Sequence, residues 1–180
     1  MNKKKIIIIS IVSILAIILL ILTINKKDTF KAKLISYITN KNYILDNDSR
    51  YMDKNNISTA CTENTPFDCN NSLYFFDIDN YEYYMEKTIK KDGVLFNINP
   101  SYNLKNDEII YHYSSTYNNG ILKYTGVYTK ENFTCYPQYE YGIDIDKSSI
   151  CNYIKQEIDQ FYKTASTFIT DKYLLDKIKE

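Results

Sequence analysis

The sequence predicts an α+β fold: an N-terminal single transmembrane helix, a short helix, an antiparallel β-sheet meander, and a long C-terminal amphipathic helix packed on the sheet. Three observations predict it: an unbroken apolar run at residues 6–24, alternating apolar and polar residues through the middle of the chain, and a helical apolar period at residues 148–179. We expect a short tail at residues 1–5, a transmembrane signal anchor at 6–24, a stalk helix at 25–42 and an extracytoplasmic domain at 43–180.

The apolar run, IIIISIVSILAIILLILTI, contains no charged residue, proline or glycine. As a helix it would be about 28 Å long, which is close to the hydrocarbon thickness of a bilayer. No small-x-small cleavage site follows it, and the first cysteine, which a lipoprotein would need beside the run, is Cys61. The sequence therefore predicts an uncleaved anchor whose partner is the lipid bilayer, contacted through residues 6–24.

Lysines lie on both sides of this run, three before it and four within residues 25–33, so the positive-inside rule leaves its orientation open. Translocation of an N-terminus that carries three lysines and an α-amine would be unfavourable. All four cysteines follow the run, and disulfides need an oxidising compartment. We therefore expect a single-pass protein of the cell membrane, with a cytoplasmic N-terminus and an extracytoplasmic C-terminal domain.

The four cysteines are Cys61, Cys69, Cys135 and Cys151. An even count in an exported chain indicates disulfides, and buried free thiols or a zinc site are the alternatives. Zinc is disfavoured because the chain has no C-x2-C pair and its only histidine is His112. Of the three pairings, Cys61–Cys69 and Cys135–Cys151 are preferred, because short loops cost the least conformational entropy to close.

The segment between the apolar run and the sheet begins with an amphipathic helix at residues 29–40, for which Asp28 is a candidate N-cap. This helix either continues the membrane helix or starts the domain. A short strand follows at residues 43–45. Residues 46–72 are rich in Asn, Asp, Ser and Thr, and they predict a long surface loop closed by the first cysteine pair.

Residues 73–141 predict antiparallel strands, the first at residues 73–78. Residues 81–91 alternate, and Asp92-Gly93 is a type I′ turn signal that would place Ile89 opposite Phe96 in the following strand. A helix at residues 80–91 is the alternative, with Gly93 at its C-terminus.

A second hairpin is predicted at residues 108–130 around Asn119-Gly120, which would place Tyr113 opposite Gly126. One of its faces is rich in tyrosine, and the other is polar and includes His112. We expect the first face to be buried and the second to be solvated. A last strand at residues 133–141 contains Pro137, which indicates an edge or a bulge.

The helix at residues 148–179 presents an apolar stripe that needs a surface to cover it. The tyrosine-rich face of the sheet is the predicted partner. Asp146 or Ser148 is expected to cap the helix, and Cys151 in its first turn would then lie near Cys135.

Chemistry-bearing motifs are weak. His112 lies between two tyrosines with no nucleophile or carboxylate that would make it a general base. The pairs Asp77/Asp79 and Asp144/Asp146 have metal-ligand spacing, but neither continues as a calcium loop, so turns and caps explain them better. We predict no catalytic residue, no cofactor and no metal.

A formal net charge of +0 excludes the strongly basic character of nucleic-acid binders. The abundant Ile, Lys, Asn and Tyr have AT-rich codons, which indicates genome bias, and the 19 tyrosines are interpreted first as strand formers. We expect the source to be a bacterium with an AT-rich genome. The resulting hypothesis is a non-enzymatic, membrane-anchored binding module whose partner is another envelope protein or a cell-wall component. The alternatives are an envelope enzyme that uses Asp77, Asp79 or Glu82 on glycan, and a structural subunit of a membrane complex with residues 173–178 as its contact.

Overall fold

A computed structural model describes residues 3–56, 61–62, 64–117, 120–141 and 146–180. The side chains of residues 3–11, 21–28 and 117 lie outside this description. They include positions 6–11 and 21–24 of the predicted membrane span. Asn119 of the predicted turn and Asp144 of the second acidic pair also lie outside the described residues.

The chain divides into two compact units, Met1–Ile38 and Thr39–Glu180. Helix α1 runs from Lys3 to Asn40 as one element of 38 residues. Of the two alternatives for residues 29–40, the structure has the one in which the helix continues from the preceding apolar run. The predicted N-cap at Asp28 is wrong, because Asp28 lies inside α1. Residues 25–28 contain neither proline nor glycine, so the backbone hydrogen bonds of a helix continue through them. Among the described residues, no helix combines the length and the apolar character needed to cross a membrane.

The second unit contains an eight-stranded antiparallel sheet in which every strand pairs with its neighbours along the chain, which confirms the predicted meander. The strands are β1 (Tyr43–Leu45), β2 (Tyr51–Asp53), β3 (Cys69–Asp77), β4 (Glu82–Lys91), β5 (Val94–Asn103), β6 (Glu108–Tyr117), β7 (Gly120–Tyr128) and β8 (Tyr136–Tyr141). Strands β1 and β8 are its edges, and the expectation that Pro137 marks an edge is confirmed.

The β4–β5 turn is the one that the sequence predicts. Asp92 and Gly93 both have positive φ, at 51° and 78°, as a type I′ turn requires. Ile89 lies opposite Phe96, so residues 82–91 form a strand, and the helical alternative is wrong.

The polar segment 46–72 contains more structure than the predicted loop. β2 forms within it, and β3 begins at Cys69, four residues earlier than the predicted strand. The Asn56 side chain takes the place of a neighbouring strand: its Nδ2 donates to the Tyr74 carbonyl at 3.0 Å, and its Oδ1 accepts from the Tyr74 amide at 3.2 Å. This side-chain pairing is invisible to a reading based on apolar periodicity.

The β6–β7 hairpin is offset by two residues from the predicted register. Tyr113 lies opposite Tyr124, and Gly126 lies opposite Tyr111. A shift of two residues keeps each described side chain on its predicted face, so the buried tyrosine-rich face and the solvated face are confirmed. The register places Gly126 where the backbone of Thr134 approaches so closely that no Cβ would fit.

The predicted C-terminal helix is two helices. α2 (Lys147–Ala165) is capped by Asp146, whose side chain accepts from the amides of Ser148 and Ser149, and α3 (Lys172–Lys179) is capped by Asp171. A capping aspartate competes with helix continuation, and this new N-cap starts a second helix where a single helix was predicted.

The core of the second unit lies between α2 and one face of the sheet, which we name the inner face. Ile154 and Ile158 of α2 are fully buried there, and the Phe161 ring stacks on Tyr83 with centroids 5.8 Å apart. Lys87 of β4 and Glu157 of α2 form an ion pair of 2.5 Å whose side chains are only 12% and 13% exposed. The predicted packing of the helix on the tyrosine-rich face is therefore confirmed.

Candidate functional site

The opposite face of the sheet, which we name the outer face, is a broad and largely polar surface. Strand register aligns its side chains into rows across the strands, because residues directly opposite one another share a face. Ile110 of β6 is half-exposed on this face. Most other side chains that the central strands contribute to it are short polar groups, with one lysine: Asn97, Asn99, Ser101, His112, Ser114, Lys123 and Thr125.

A β-bulge shapes the edge of this face. Tyr124 lies opposite Pro137, but the next residue, Lys123, lies opposite Tyr139, so Gln138 is the additional residue in β8. Tyr136 and Tyr139 would lie on opposite faces of a regular strand, and the bulge brings both to the outer face together with Tyr141. We name these three tyrosines the tyrosine strip. Their side chains are 61%, 50% and 64% exposed.

The chain is held firmly where it enters β8. The Thr134 amide donates to the Val127 carbonyl at 2.9 Å, and the Val127 amide donates to Thr134 Oγ1 at 2.8 Å. The Tyr111 hydroxyl, raised in pKa by burial, donates to the Thr134 carbonyl at 2.6 Å. Gly126 permits this approach, since a Cβ there would lie 1.9 Å from the same oxygen. The tyrosine strip therefore follows a rigid entry point.

The structure contains the disulfides Cys61–Cys69 and Cys135–Cys151, which is the pairing that loop closure predicts. The second bond joins the residue before β8 to the first turn of α2, and it anchors the tyrosine strip to the core. Two disulfides are consistent with an oxidising, extracytoplasmic environment.

Two shallow depressions meet on the outer face at Asn99. The smaller, of about 220 Å³, is lined by groups that include His112, Ser114, Lys123 and Gln138. The larger, of about 390 Å³, lies toward β3 and is lined by polar and acidic groups that include Asp77, Glu82, Glu86 and Ser101. Four inter-strand spacings make the face about 19 Å wide from β4 to β8. It is acidic at the β3–β4 side and has a lysine near β8.

Arg50 partly neutralises the acidic side. Its guanidinium lies 3.0 Å from Asp46 and 3.3 Å from Glu86, and it covers the Phe75 ring at 4.3 Å. Burial alone would raise the pKa of Asp46, but hydrogen bonds from the Arg50 amide and guanidinium outweigh it and hold that pKa below its usual range. This cluster fixes the β1–β2 hairpin against the outer face.

The carboxylates singled out in the sequence have structural partners. Asp77 Oδ1 accepts from the amides of Asp79 and Asn80 at 2.8 and 3.0 Å and so closes the β3–β4 turn. Glu82, directly opposite Asp77, accepts from the Ser101 hydroxyl at 3.0 Å. Both nevertheless border the larger depression, whereas Asp79 is exposed on the turn.

His112 is exposed on the outer face, where its Nδ1 lies 3.4 Å from the Thr125 hydroxyl. Asp146 serves as the cap of α2. Within the described ranges, no three His, Cys, Asp or Glu side chains come together as a metal site would need.

A second polar cluster lies near the end of α2. Asp107 accepts from the hydroxyls of Tyr102 and Tyr162 at 2.8 and 3.1 Å and pairs with Lys130 at 2.9 Å. Burial pushes the pKa of Asp107 up, but the hydrogen bonds from Lys130 and the tyrosines outweigh it, so the pKa lies below its usual range. Each of these partners bonds the same carboxylate, and the cluster ties the β5–β6 turn to α2.

No protein-family model, curated protein or solved structure matches the chain. The chemistry of the outer face is therefore what bears on function.

The tyrosine strip is not apparent from the sequence alone. Its signal is the spacing Tyr136-Pro137-Gln138-Tyr139-Glu140-Tyr141, in which a proline-associated bulge converts a separation of three residues into a shared face. The expected bulge or edge at Pro137 is confirmed on both counts, but its effect on the tyrosines follows only from the register with β7.

Proposed function

We propose that this protein is a membrane-anchored extracytoplasmic binding module, and that its ligand-binding surface is the outer face of the sheet. The observation that carries the proposal is the tyrosine strip: three exposed aromatic rings beside a largely polar surface that also contains the half-exposed Ile110. Exposed aromatic groups cost the free protein solvation free energy, and clusters of them mark interaction sites. Most other tyrosines of the sheet are used in the core, which makes these three stand apart.

The location is proposed from the sequence and the cysteines together. Residues 6–24 have the length and composition of a bilayer span, and the residues beyond them are polar enough for an aqueous domain. The two disulfides favour the oxidising side of the membrane for that domain. We therefore propose a cytoplasmic N-terminus, with the binding face presented to the cell envelope.

Labelling with a membrane-impermeant maleimide tests this orientation. After mild reduction of intact cells, the cysteines of an extracytoplasmic domain become labelled, and omission of the reductant abolishes the signal. Labelling that requires lysis of the cells would place the domain in the cytoplasm and contradict the proposal.

The binding role is tested with the full chain, purified in detergent and immobilised. Wild-type protein is expected to retain cell-envelope material from a bacterial envelope fraction, whether glycan or protein. A variant that carries Tyr136→Ser, Tyr139→Ser and Tyr141→Ser should lose that retention. Tyr173→Ser is the matched control, because Tyr173 is 50% exposed but lies on α3. Failure of the wild-type chain to retain anything, or equal retention by the triple variant, would reject the proposed surface.

A second candidate function is an envelope enzyme that acts on glycan through a carboxylate. One observation favours it: Asp77 and Glu82 border the larger depression side by side. Against it, both carboxylates accept hydrogen bonds that serve the turn and the neighbouring strand. Glu82→Gln keeps the hydrogen-bond acceptor for Ser101 and removes the charge. If the wild-type protein cleaves glycan and this folded variant does not, the enzymatic function is supported. Full turnover would exclude Glu82 from catalysis.

A further inference from the structure

We infer that the outer face binds an acidic polysaccharide, whose sugar rings stack on the tyrosine strip and whose carboxylates meet Lys123. This inference rests on the proposed binding function and names the chemical class of its ligand.

The rings of the strip form a row that suits a linear polymer. Side chains on one face of a strand repeat about every 6.5–7 Å, so Tyr139 and Tyr141 are neighbours, and the bulge brings Tyr136 into the same row. A tyrosine offers a flat apolar ring for the C–H face of a pyranose, and a hydroxyl that can bond to the sugar's own hydroxyls. Aliphatic side chains would offer neither the flat surface nor the polar group.

The groups beside the row are those that sugar hydroxyls require. Asn99, Ser114 and Gln138 line the smaller depression. Thr125 lies opposite Tyr136, and its hydroxyl, which donates to the Tyr111 carbonyl at 2.9 Å, can still accept. Amide and hydroxyl side chains both donate and accept hydrogen bonds, as a sugar hydroxyl does. An apolar peptide would leave these polar groups buried without partners at a cost in free energy, so this surface disfavours it.

Lys123 supplies the charge that selects an acidic ligand. It is exposed in the smaller depression, directly opposite Tyr139 and Ser114 in the neighbouring strands. Among the described residues, the cations that form ion pairs are Arg50 and five lysines, and Lys123 is not one of them. No carboxylate of the described residues lines the smaller depression. An anionic group of the ligand would therefore gain a cation that has no competing partner in this part of the structure.

The charge distribution also favours a polysaccharide over nucleic acid, and it indicates which strands the ligand contacts. Nucleic-acid grooves carry many cations along the backbone path, whereas this chain has a formal net charge of +0 and one lysine in the smaller depression. The acidic side, where Asp77 and Glu82 are not paired with Arg50, repels an anionic chain. The ligand is therefore expected to follow β7 and β8 instead of crossing to β4.

Isothermal titration calorimetry with pentagalacturonate, and with cellopentaose as a neutral sugar of equal length, tests the inference on the full chain in detergent. We expect tighter binding of pentagalacturonate. Each of Tyr136→Ala, Tyr139→Ala and Tyr141→Ala should weaken it about two- to tenfold. Lys123→Gln should weaken the acidic ligand several-fold, leave cellopentaose unchanged and reduce the salt dependence of binding.

Tyr173→Ala and Lys163→Gln are the controls, because both side chains are exposed on helices away from the outer face, and neither should change binding. Circular dichroism verifies that each variant is folded. Equal affinity for both sugars, or unchanged affinity in the Tyr139→Ala and Lys123→Gln variants, would overturn the inference. If the protein binds neither sugar but still retains envelope protein through the tyrosine strip, the polysaccharide ligand is rejected and the proposed binding function stands. If it binds neither sugar and retains no envelope material, both proposals are rejected.

Discussion

Replacement of Gly126 by alanine tests how β8, and with it the tyrosine strip, is attached to the sheet. A Cβ at this position would lie 1.9 Å from the Thr134 carbonyl oxygen and 2.5 Å from the Tyr111 hydroxyl. The carbonyl belongs to the backbone and must retreat by about 1 Å before the contact becomes tolerable. That displacement removes the hydrogen bond between the Tyr111 hydroxyl and the Thr134 carbonyl, which is 2.6 Å long.

The magnitude follows from three terms. Overpacking of a filled site costs about 1–3 kcal/mol. Loss of the hydrogen bond leaves the hydroxyl of a fully buried Tyr111 without its partner, which costs about 1–3 kcal/mol more. Alanine reduces the entropy of the unfolded chain and returns about 0.4–1 kcal/mol. We therefore expect Gly126→Ala to lower the free energy of unfolding by about 1–5 kcal/mol in urea denaturation followed by near-UV circular dichroism of the tyrosines.

Gly93→Ala and Tyr111→Phe provide the comparison. Gly93 has φ +78°, but apart from Gly93 and its two chain neighbours no residue has an atom within 4 Å of the position that a Cβ would occupy. Its alanine variant therefore reports backbone strain without a steric clash, about 1–2 kcal/mol. Tyr111→Phe should cost about 1 kcal/mol in the wild type and in Gly93→Ala, but almost nothing in Gly126→Ala, where its hydrogen bond is already broken. The proposed contact is refuted if Gly126→Ala is no more destabilising than Gly93→Ala and its effect is additive with that of Tyr111→Phe.

Three further predictions concern the attachment of α2 and the acid stability. Replacing Cys135 and Cys151 by serine should lower the free energy of unfolding by about 3 kcal/mol, because the disulfide closes a 16-residue separation. In this variant a reductant can no longer destabilise the protein by breaking that disulfide. An unchanged urea midpoint in the serine variant would contradict the prediction. Lys87→Met leaves the largely buried Glu157 without its cation and should lower the free energy of unfolding by about 3–5 kcal/mol. The double variant Lys87→Met, Glu157→Met should recover most of that loss. Equal losses of stability in the single and double variants would argue against the ion pair. The pKa of Asp107 is lowered in the folded state, so its contribution is complete above the ordinary value of 3.8 and is lost as the pH falls through the folded value. Asp107→Asn should flatten the decline in stability between pH 5 and pH 2, about the range in which such a carboxyl titrates, and an unchanged decline would contradict this.

The parts of the fold that the sequence predicts are those that local chemistry determines. Asp92-Gly93 demands positive φ at both residues, which selects the turn and, through it, the register that places Ile89 opposite Phe96. The alternation of tyrosines in β6 separates a buried from a solvated face whatever the exact register is. The apolar stripe of α2 then has one suitable surface to cover.

The parts that the sequence does not predict depend on partners distant in the chain. β2 needs Arg50, which pairs with Glu86 36 residues away, and the segment beyond it needs Asn56, which pairs with the Tyr74 backbone. The register of β6 and β7 depends on the approach of Thr134 to Gly126, a contact that no local turn signal encodes. The division between α2 and α3 depends on Asp171, one of several residues with capping potential in that region.

The tyrosine strip shows how such a nonlocal contact creates an exposed aromatic surface from ordinary composition. Tyrosine is abundant in this chain, and an inward-facing tyrosine of the sheet is consumed by packing, as Tyr111 is. An outward-facing row on β8 needs one extra residue at Gln138, which is tolerated because an edge strand has a neighbour on one side only. Pro137 discourages the free edge from pairing with another chain, so the rings are displayed while the edge is protected. The contacts that hold the entry of β8, at Gly126 and at the second disulfide, then keep the row in one geometry, and a preorganised row loses less entropy when a ligand binds.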